Sequence, residues 1–122
     1  MGQYAINAAA GTYAQLQQFG LVGGVSNTKI GITVQIGYNN NQNQIFTPEN
    51  TETVVDFALQ NSYISFLSYW ELARDHPILP DFPQNGPDCF AYSNGILENS
   101  CVSQGNLEFL HRMNRFNSPA GL

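Results

Sequence analysis

The sequence predicts an α/β chain with parallel strands, and three observations carry that prediction. Ile30 to Ile36 alternates as a strand, Thr47-Pro48-Glu49 opens a helix that runs to about Asn61, and Tyr63 to Trp70 is a second strand-like run rich in aromatic and β-branched residues. A helix between two apolar strands with short connections is a βαβ unit, so the strands run parallel with a right-handed crossover. One helix precedes the unit and another ends the chain, giving the order helix, strand, helix, strand, long loop, helix.

Each element has a local reason. Gly2 to Phe19 repeats Ala5, Ala8, Ala9, Thr12, Leu16 and Phe19 at steps of three and four, which predicts a helix presenting one small apolar face, and Gly20 offers its stop. Gly23 to Asn27 reads as a loop. Ile30, Ile32, Val34 and Ile36 fall on one face of the first strand, Gly31, Thr33 and Gln35 on the other. Gly37 to Gln44 is a polar loop. In the second helix Thr47 is the N-cap, Pro48 the first helical residue and Glu49 an acid in the first turn. Thr51, Val54, Val55 and Ala58 form its buried stripe, with Phe57 beside it.

Residues 76–103 contain Pro77, Pro80, Pro83, Gly86 and Pro87 and read as a long irregular loop. Gln104 to Phe116 is the last predicted helix, with Phe109, Leu110, Met113 and Phe116 on its apolar side. Residues 117–122 read as a frayed tail. Parallel sheets are normally covered on both faces and need more strands than two. The sequence therefore predicts a chain that is incomplete or that pairs with another chain.

Composition narrows the function. The net charge is −5 and Lys plus Arg number only 4, too few for a phosphate-tracking stripe, so nucleic-acid binding is not expected. No apolar run approaches the roughly 18 residues of a membrane span. Charged residues make up 11%, and Asn and Gln fill the gap, as in Asn39-Asn40-Asn41-Gln42-Asn43-Gln44. Such a polar, weakly charged surface suits an extracellular or sugar-binding protein, or reflects compositional drift. Met1 leads into an amphipathic stretch rather than a basic and apolar leader, so a leader for a secreted parent would lie upstream. Cys89 and Cys101 are either a disulfide closing a short loop or two unpaired thiols. No metal-ligand spacing occurs, and no metal or cofactor is expected.

In order along the chain, Met1-Gly2-Gln3-Tyr4-Ala5-Ile6, Ile30-Gly31-Ile32-Thr33-Val34-Gln35-Ile36-Gly37, Ile45-Phe46-Thr47, Val54-Val55-Asp56-Phe57-Ala58 and Leu67-Ser68-Tyr69-Trp70-Glu71-Leu72-Ala73-Arg74-Asp75 resemble blocks of bacterial-type chitinases of glycoside hydrolase family 18. Ser103-Gln104 and the last helix are similar to the end of that group. The resemblance implies a partial TIM barrel, in which residues 1–122 form the C-terminal portion from the sixth helix to the eighth. A full barrel takes about 250 residues. Family 18 enzymes cleave β-1,4-linked N-acetylglucosamine polymers with retention, the substrate's own acetamido group acting as nucleophile. Their general acid is the Glu of an Asp-x-x-Asp-x-Asp-x-Glu motif, which this sequence does not contain. No catalytic residue is therefore assigned.

What the resemblance leaves in this chain is a sugar-binding floor at the C-terminal ends of the strands. Trp70 matches the family tryptophan beneath the sugar at the cleavage site. An indole suits that place because it stacks on a sugar's apolar C–H face while its N–H donates a hydrogen bond. Without the resemblance, a Trp closing an apolar strand is more often core. Gln35 stands where the family usually has Met, Asn39-Asn40 where it often has Asn-Asp, and Glu71 and Tyr69 where it usually has Ser and Met. Glu71 and Asp75 have no spacing that marks a catalytic pair. Arg74-Asp75 reads as a structural ion pair or turn, His76 as a loop residue and His111 as helix surface.

The expected function is thus part of a chitinase-like glycoside hydrolase, inactive alone. Its partners would be chitin or chito-oligosaccharide and either a missing N-terminal barrel half or a second copy, with the intact parent extracellular. The alternative is a non-enzymatic carbohydrate-binding or self-assembling half-barrel module.

Overall fold

A computed structural model describes residues 1–23, 26–38, 44–77, 102 and 104–118. Helix α1 spans Gly2–Gln18. Its stop is a Schellman turn: Gly20 sits at φ 67°, its N–H donates to the Gln17 carbonyl (3.0 Å), and the Leu21 N–H reaches back to Leu16 (2.9 Å). Gly20→Ala places a Cβ in this left-handed position and is expected to cost about 1 kcal/mol, read as a lower thermal midpoint.

The face that α1 buries coincides with the expected one only at Ala5, Ala9 and Leu16. Gly2 and Ala9 are buried, and Ala5, Ile6, Tyr13 and Leu16 pack partly against the core. Tyr13 stacks on Tyr63 with ring centroids 3.9 Å apart. Ala8, Thr12 and Phe19 are exposed. The stripe of small residues is therefore turned partly away from what the helix packs on.

Strand β3 (Ile30–Gln35) and strand β6 (Ile64–Trp70) pair in parallel, and helix α2 (Pro48–Gln60) crosses between them, as the βαβ reading requires. Ile30, Ile32 and Val34 are buried toward the helices, as their alternation demands, and Ile36 beyond the strand end is fully buried. Helix α2 starts with a capping box: the Asn50 N–H donates to the Thr47 hydroxyl and the Thr47 N–H to the Asn50 side chain, both at 3.3 Å. The stripe Thr51, Val54, Val55 and Ala58 is buried as read, with Phe57 half-buried.

The two predicted loops carry short antiparallel pairs. Strand β1 (Val22–Gly23) pairs with β2 (Ser26–Asn27), and β4 (Gly37–Tyr38) pairs with β5 (Ile45–Phe46). Phe46 is buried against Phe109, so the second pair pins the chain to the core. Beyond β6, Leu72–Arg74 makes one 3-10 turn.

The last helix is shorter than its periodicity implied. Helix α3 covers Glu108–Met113 and continues as a 3-10 turn, Asn114–Asn117. Phe109 and Met113 are buried, Leu110 is exposed and Phe116 half-buried. Gln104 lies outside this helix. It is buried, and its amide donates to the carbonyls of Arg74 and His76, both at 2.9 Å. Arg112 and Arg115 bind the helix to α2. Arg112 meets Glu52 at 3.5 Å and Glu108 at 2.6 Å, and Arg115 meets Asp56 at 2.9 Å as well as Glu52. These pairs are part-exposed, so each contributes at most about 1 kcal/mol. Glu49, Glu52 and Asp56, at helical spacing on one face, are the sequence signal for this network. Among the described residues no helix is long and apolar enough to cross a membrane.

Candidate substrate-binding floor

One face of the β3–β6 sheet is packed on helices, and the other lies open. The open face is built in rows set by the register: Gly31 beside Phe66, Thr33 beside Ser68, and Gln35 beside Trp70. A bulge after Ile30 sets two residues of β6, Ile64 and Ser65, against one of β3, which keeps the rows aligned. The Phe66 ring lies directly over Gly31, where an added Cβ would collide with its ring carbons. The Thr33 and Ser68 hydroxyls share a 2.6 Å hydrogen bond. Three such rows line the open face of the two strands.

The top row lies at the C-terminal ends of the strands, where barrel sites form. Trp70 is 60% exposed and takes no part in the core of the described residues. Gln35 is half-buried beside it. The Trp70–Glu71 peptide bond is cis. Glu71 is half-buried, and its carbonyl accepts from the Arg74 N–H (3.0 Å), starting the turn. Asn39 and Asn40 lie outside the described residues, as do Cys89, Cys101 and the 78–101 part of the long loop.

Beneath this row two buried charged residues hold the backbone. The Arg74 guanidinium, 2% exposed, donates to the Tyr38 carbonyl at 2.8 Å and so ties the end of β6 to strand β4. Asp75 is fully buried. Its carboxylate accepts from the Phe109 N–H (3.1 Å), the Leu110 N–H (2.9 Å) and the Tyr69 hydroxyl (3.2 Å), and its carbonyl accepts from the Leu107 N–H (2.8 Å). Burial, and then the Asp75 charge and hydrogen bond, push the Tyr69 phenol well above its usual range, so it stays protonated as a donor. Asp75 is thus a helix cap sealed from solvent, not half of an acid pair with Glu71. The reading of Arg74-Asp75 as an ion pair or turn matches the turn, and the partners Tyr38, Phe109 and Leu110, far along the chain, lie outside it.

His76 is half-buried with Nδ1 2.8 Å from the Pro77 carbonyl, and His111 is exposed on α3. Among the described residues no group of His, Cys, Asp and Glu is arranged to hold a metal ion.

The fold is that of part of a chitinase catalytic domain. Three crystal structures of the Pyrococcus furiosus chitinase match with a TM-score of 0.76 and 25% sequence identity: its hyperthermophilic catalytic domain, catalytic-site mutants of active domain 2, and such mutants complexed with chito-oligosaccharides. Each match covers 99% of this chain and 36% of the other, so this chain spans about a third of the chains it matches. No protein-family model matches the sequence, and no curated protein matches it.

Proposed function

We propose that this chain is the C-terminal portion of a glycoside hydrolase family 18 barrel, and that it supplies part of the floor on which a chito-oligosaccharide rests. The intact protein would cleave β-1,4-linked N-acetylglucosamine polymers, with the acid of the Asp-x-x-Asp-x-Asp-x-Glu motif on a portion outside this sequence. The same reading puts the intact parent outside the cell. The observation that carries it is Trp70: an indole at the C-terminal end of a parallel strand, 60% exposed on the open face, with Gln35 paired beside it. A flat apolar ring with a polar neighbour fits a sugar, whose C–H face stacks while its hydroxyls and acetamido group hydrogen-bond.

Trp70 is the only tryptophan, so emission excited at the red edge of the absorption band, beyond the tyrosines, reports on it alone. Chitohexaose is expected to change that emission saturably, whereas an equal concentration of cellohexaose, which lacks acetamido groups, is not. Trp70→Ala removes the fluorophore, so its binding is read by calorimetry. The expected loss is at least tenfold, about 1.4 kcal/mol, with the thermal midpoint unchanged because the ring is outside the core. Unaltered calorimetric binding in Trp70→Ala would refute the platform role. Release of sugars by the pure chain would refute the assignment of the acid to another portion.

A further inference from the structure

Trp70 is held from two sides, and only one of them is the sheet. On the sheet side its carbonyl accepts from the Ile36 N–H at 3.1 Å. On the other side the chain turns at once. The Arg74 N–H donates to the Glu71 carbonyl (3.0 Å) and the Asp75 N–H to the Leu72 carbonyl (3.1 Å). A single 3-10 turn leaves its last carbonyls without partners inside it. Here three carbonyls in a row are taken by the C-terminal segment. The Gln104 Nε2 donates to the Arg74 and His76 carbonyls, both at 2.9 Å, and the Leu107 N–H donates to the Asp75 carbonyl at 2.8 Å.

Gln104 is itself anchored by the residues that follow it. The Gly105 N–H donates to the Glu108 carboxylate at 2.6 Å, Glu108 meets Arg112, and Arg112 meets Glu52 on α2. The amide that grips the turn after Trp70 is thus tied back to the helical layer behind the sheet.

The side chain is only half satisfied. Gln104 is 3% exposed, and among the described residues its Oε1 has no hydrogen-bond partner. A buried oxygen without a donor is unfavourable and offsets part of what the two N–H bonds contribute. The net effect of the side chain on stability is therefore small, while its effect on geometry is large: one amide spans the carbonyls on either side of Asp75. That geometry matters at Trp70. The indole is 60% exposed and outside the core, so packing does not set its direction, and the backbone that carries it must. A binding side chain serves only while it is held within roughly 10–20° of its working orientation.

We propose that Gln104 is a positioning residue for the candidate sugar floor: its amide fixes the turn that follows Trp70, and through that turn the direction in which the indole faces a sugar. The proposal rests on the reading of Trp70 as a sugar platform and adds a residue on another segment that touches no sugar.

The test is Gln104→Met in the full chain. Methionine is of similar length and fills the site, removing both donor bonds and the orphan oxygen together, so a modest fall in thermal midpoint is expected. Chitohexaose affinity, read by calorimetry, is expected to fall roughly fivefold or more, about 1 kcal/mol. Trp70 is the only tryptophan, so its indole N–H gives one isolated side-chain signal in a proton–nitrogen spectrum. The order parameter of that signal is expected to fall as well. Ala58→Gly is the control. It lies on the last turn of α2, before the start of β6 and so at the end remote from Trp70, and it lowers the midpoint through helix propensity. It is expected to leave indole order and affinity unchanged. Unchanged indole order in Gln104→Met overturns the proposal, as does unchanged affinity where the parent binds, or a loss that Ala58→Gly reproduces. Should Gln104→Met not fold, Gln104→Asn, one methylene shorter and unable to span both carbonyls, takes its place. If neither folds, Gln104 serves folding rather than the site, and the proposal falls. Failure of the sugar-floor reading is distinct: the parent then gives no response to chitohexaose, while indole order in the variant still decides whether Gln104 aims Trp70.

Discussion

Asp75→Ala is expected to lower stability by about 3–5 kcal/mol, the largest effect of any single substitution considered for this chain. The reason is its concentration of bonds. One fully buried carboxylate satisfies the Phe109 and Leu110 N–H groups, on the second and third residues of α3, and the Tyr69 hydroxyl. Helix starts leave their first N–H groups without partners, and a negative charge there also meets the positive end of the helix dipole. Alanine leaves all three donors without this acceptor, the Phe109 N–H in a buried site. Phe109, the fully buried anchor of α3, then loses its fixed place beside Phe46. For a chain of this size the loss corresponds to a drop of order 10 °C or more in the thermal midpoint. Amide exchange at Phe109 and Leu110 should accelerate in parallel. Asp75→Asn, which keeps one acceptor oxygen, should fall between. A midpoint within about 3 °C of the parent would mean that α3 is not held by this cap.

Tyr69 gives the same cluster an alkaline limit. Its phenol is raised in the folded chain above the usual value of about 10. The stability from holding the proton is therefore complete below about pH 10 and is lost as the pH rises beyond it. Tyr69→Phe removes the ionisable group, so the variant should show a flatter stability profile above that pH. A steeper one would contradict the geometry.

How much of this was legible depended on the distance over which each element is determined. Strand β3 was readable because Ile30, Ile32 and Val34 alternate strictly with Gly31, Thr33 and Gln35, and the face given to Gln35 is the open one. Helix α2 was readable because its start is settled within four residues, Thr47 to Asn50. Strand β6 was found by its aromatics, but a bulge at its start breaks its alternation, and only pairing with β3 sets Trp70 beside Gln35. The start of α3 was not legible, because its cap is Asp75, in a different part of the chain. Leu107, just before the helix, adopts φ 52°, a conformation its side chain does not advertise. The small two-residue strands fell inside polar or glycine-rich stretches whose pairing leaves no periodic trace. The buried face of α1 was legible in part: Ala5, Ala9 and Leu16 pack as read, while Ala8, Thr12 and Phe19 do not, because apolar spacing marks a face that wants covering without saying which partner is in this chain.

Arg74 carries the second large expectation, and it links stability to the site. Arg74→Ala removes a guanidinium that is 2% exposed and leaves the Tyr38 carbonyl without that donor. The lost hydrogen bond and the cavity together are expected to cost about 2–4 kcal/mol. Lysine is a poor substitute, since an ammonium on a flexible stem does not reproduce the planar fork that reaches Tyr38 while filling the site. The consequence extends beyond the midpoint. Strand β4 is only Gly37–Tyr38, paired to Ile45–Phe46, and this bond fixes it to the turn that follows Trp70. Asn39 and Asn40 follow directly in the sequence. If they contribute to a sugar floor, freeing Tyr38 weakens chitohexaose binding even where the variant is still folded, as judged by an unchanged far-UV spectrum at low temperature. Arg74→Lys separates the two effects: a modest fall in midpoint with a larger fall in sugar affinity would assign Arg74 a positioning role toward the floor. A fall in midpoint with affinity unchanged would confine it to the scaffold and remove Asn39 and Asn40 from the proposed site.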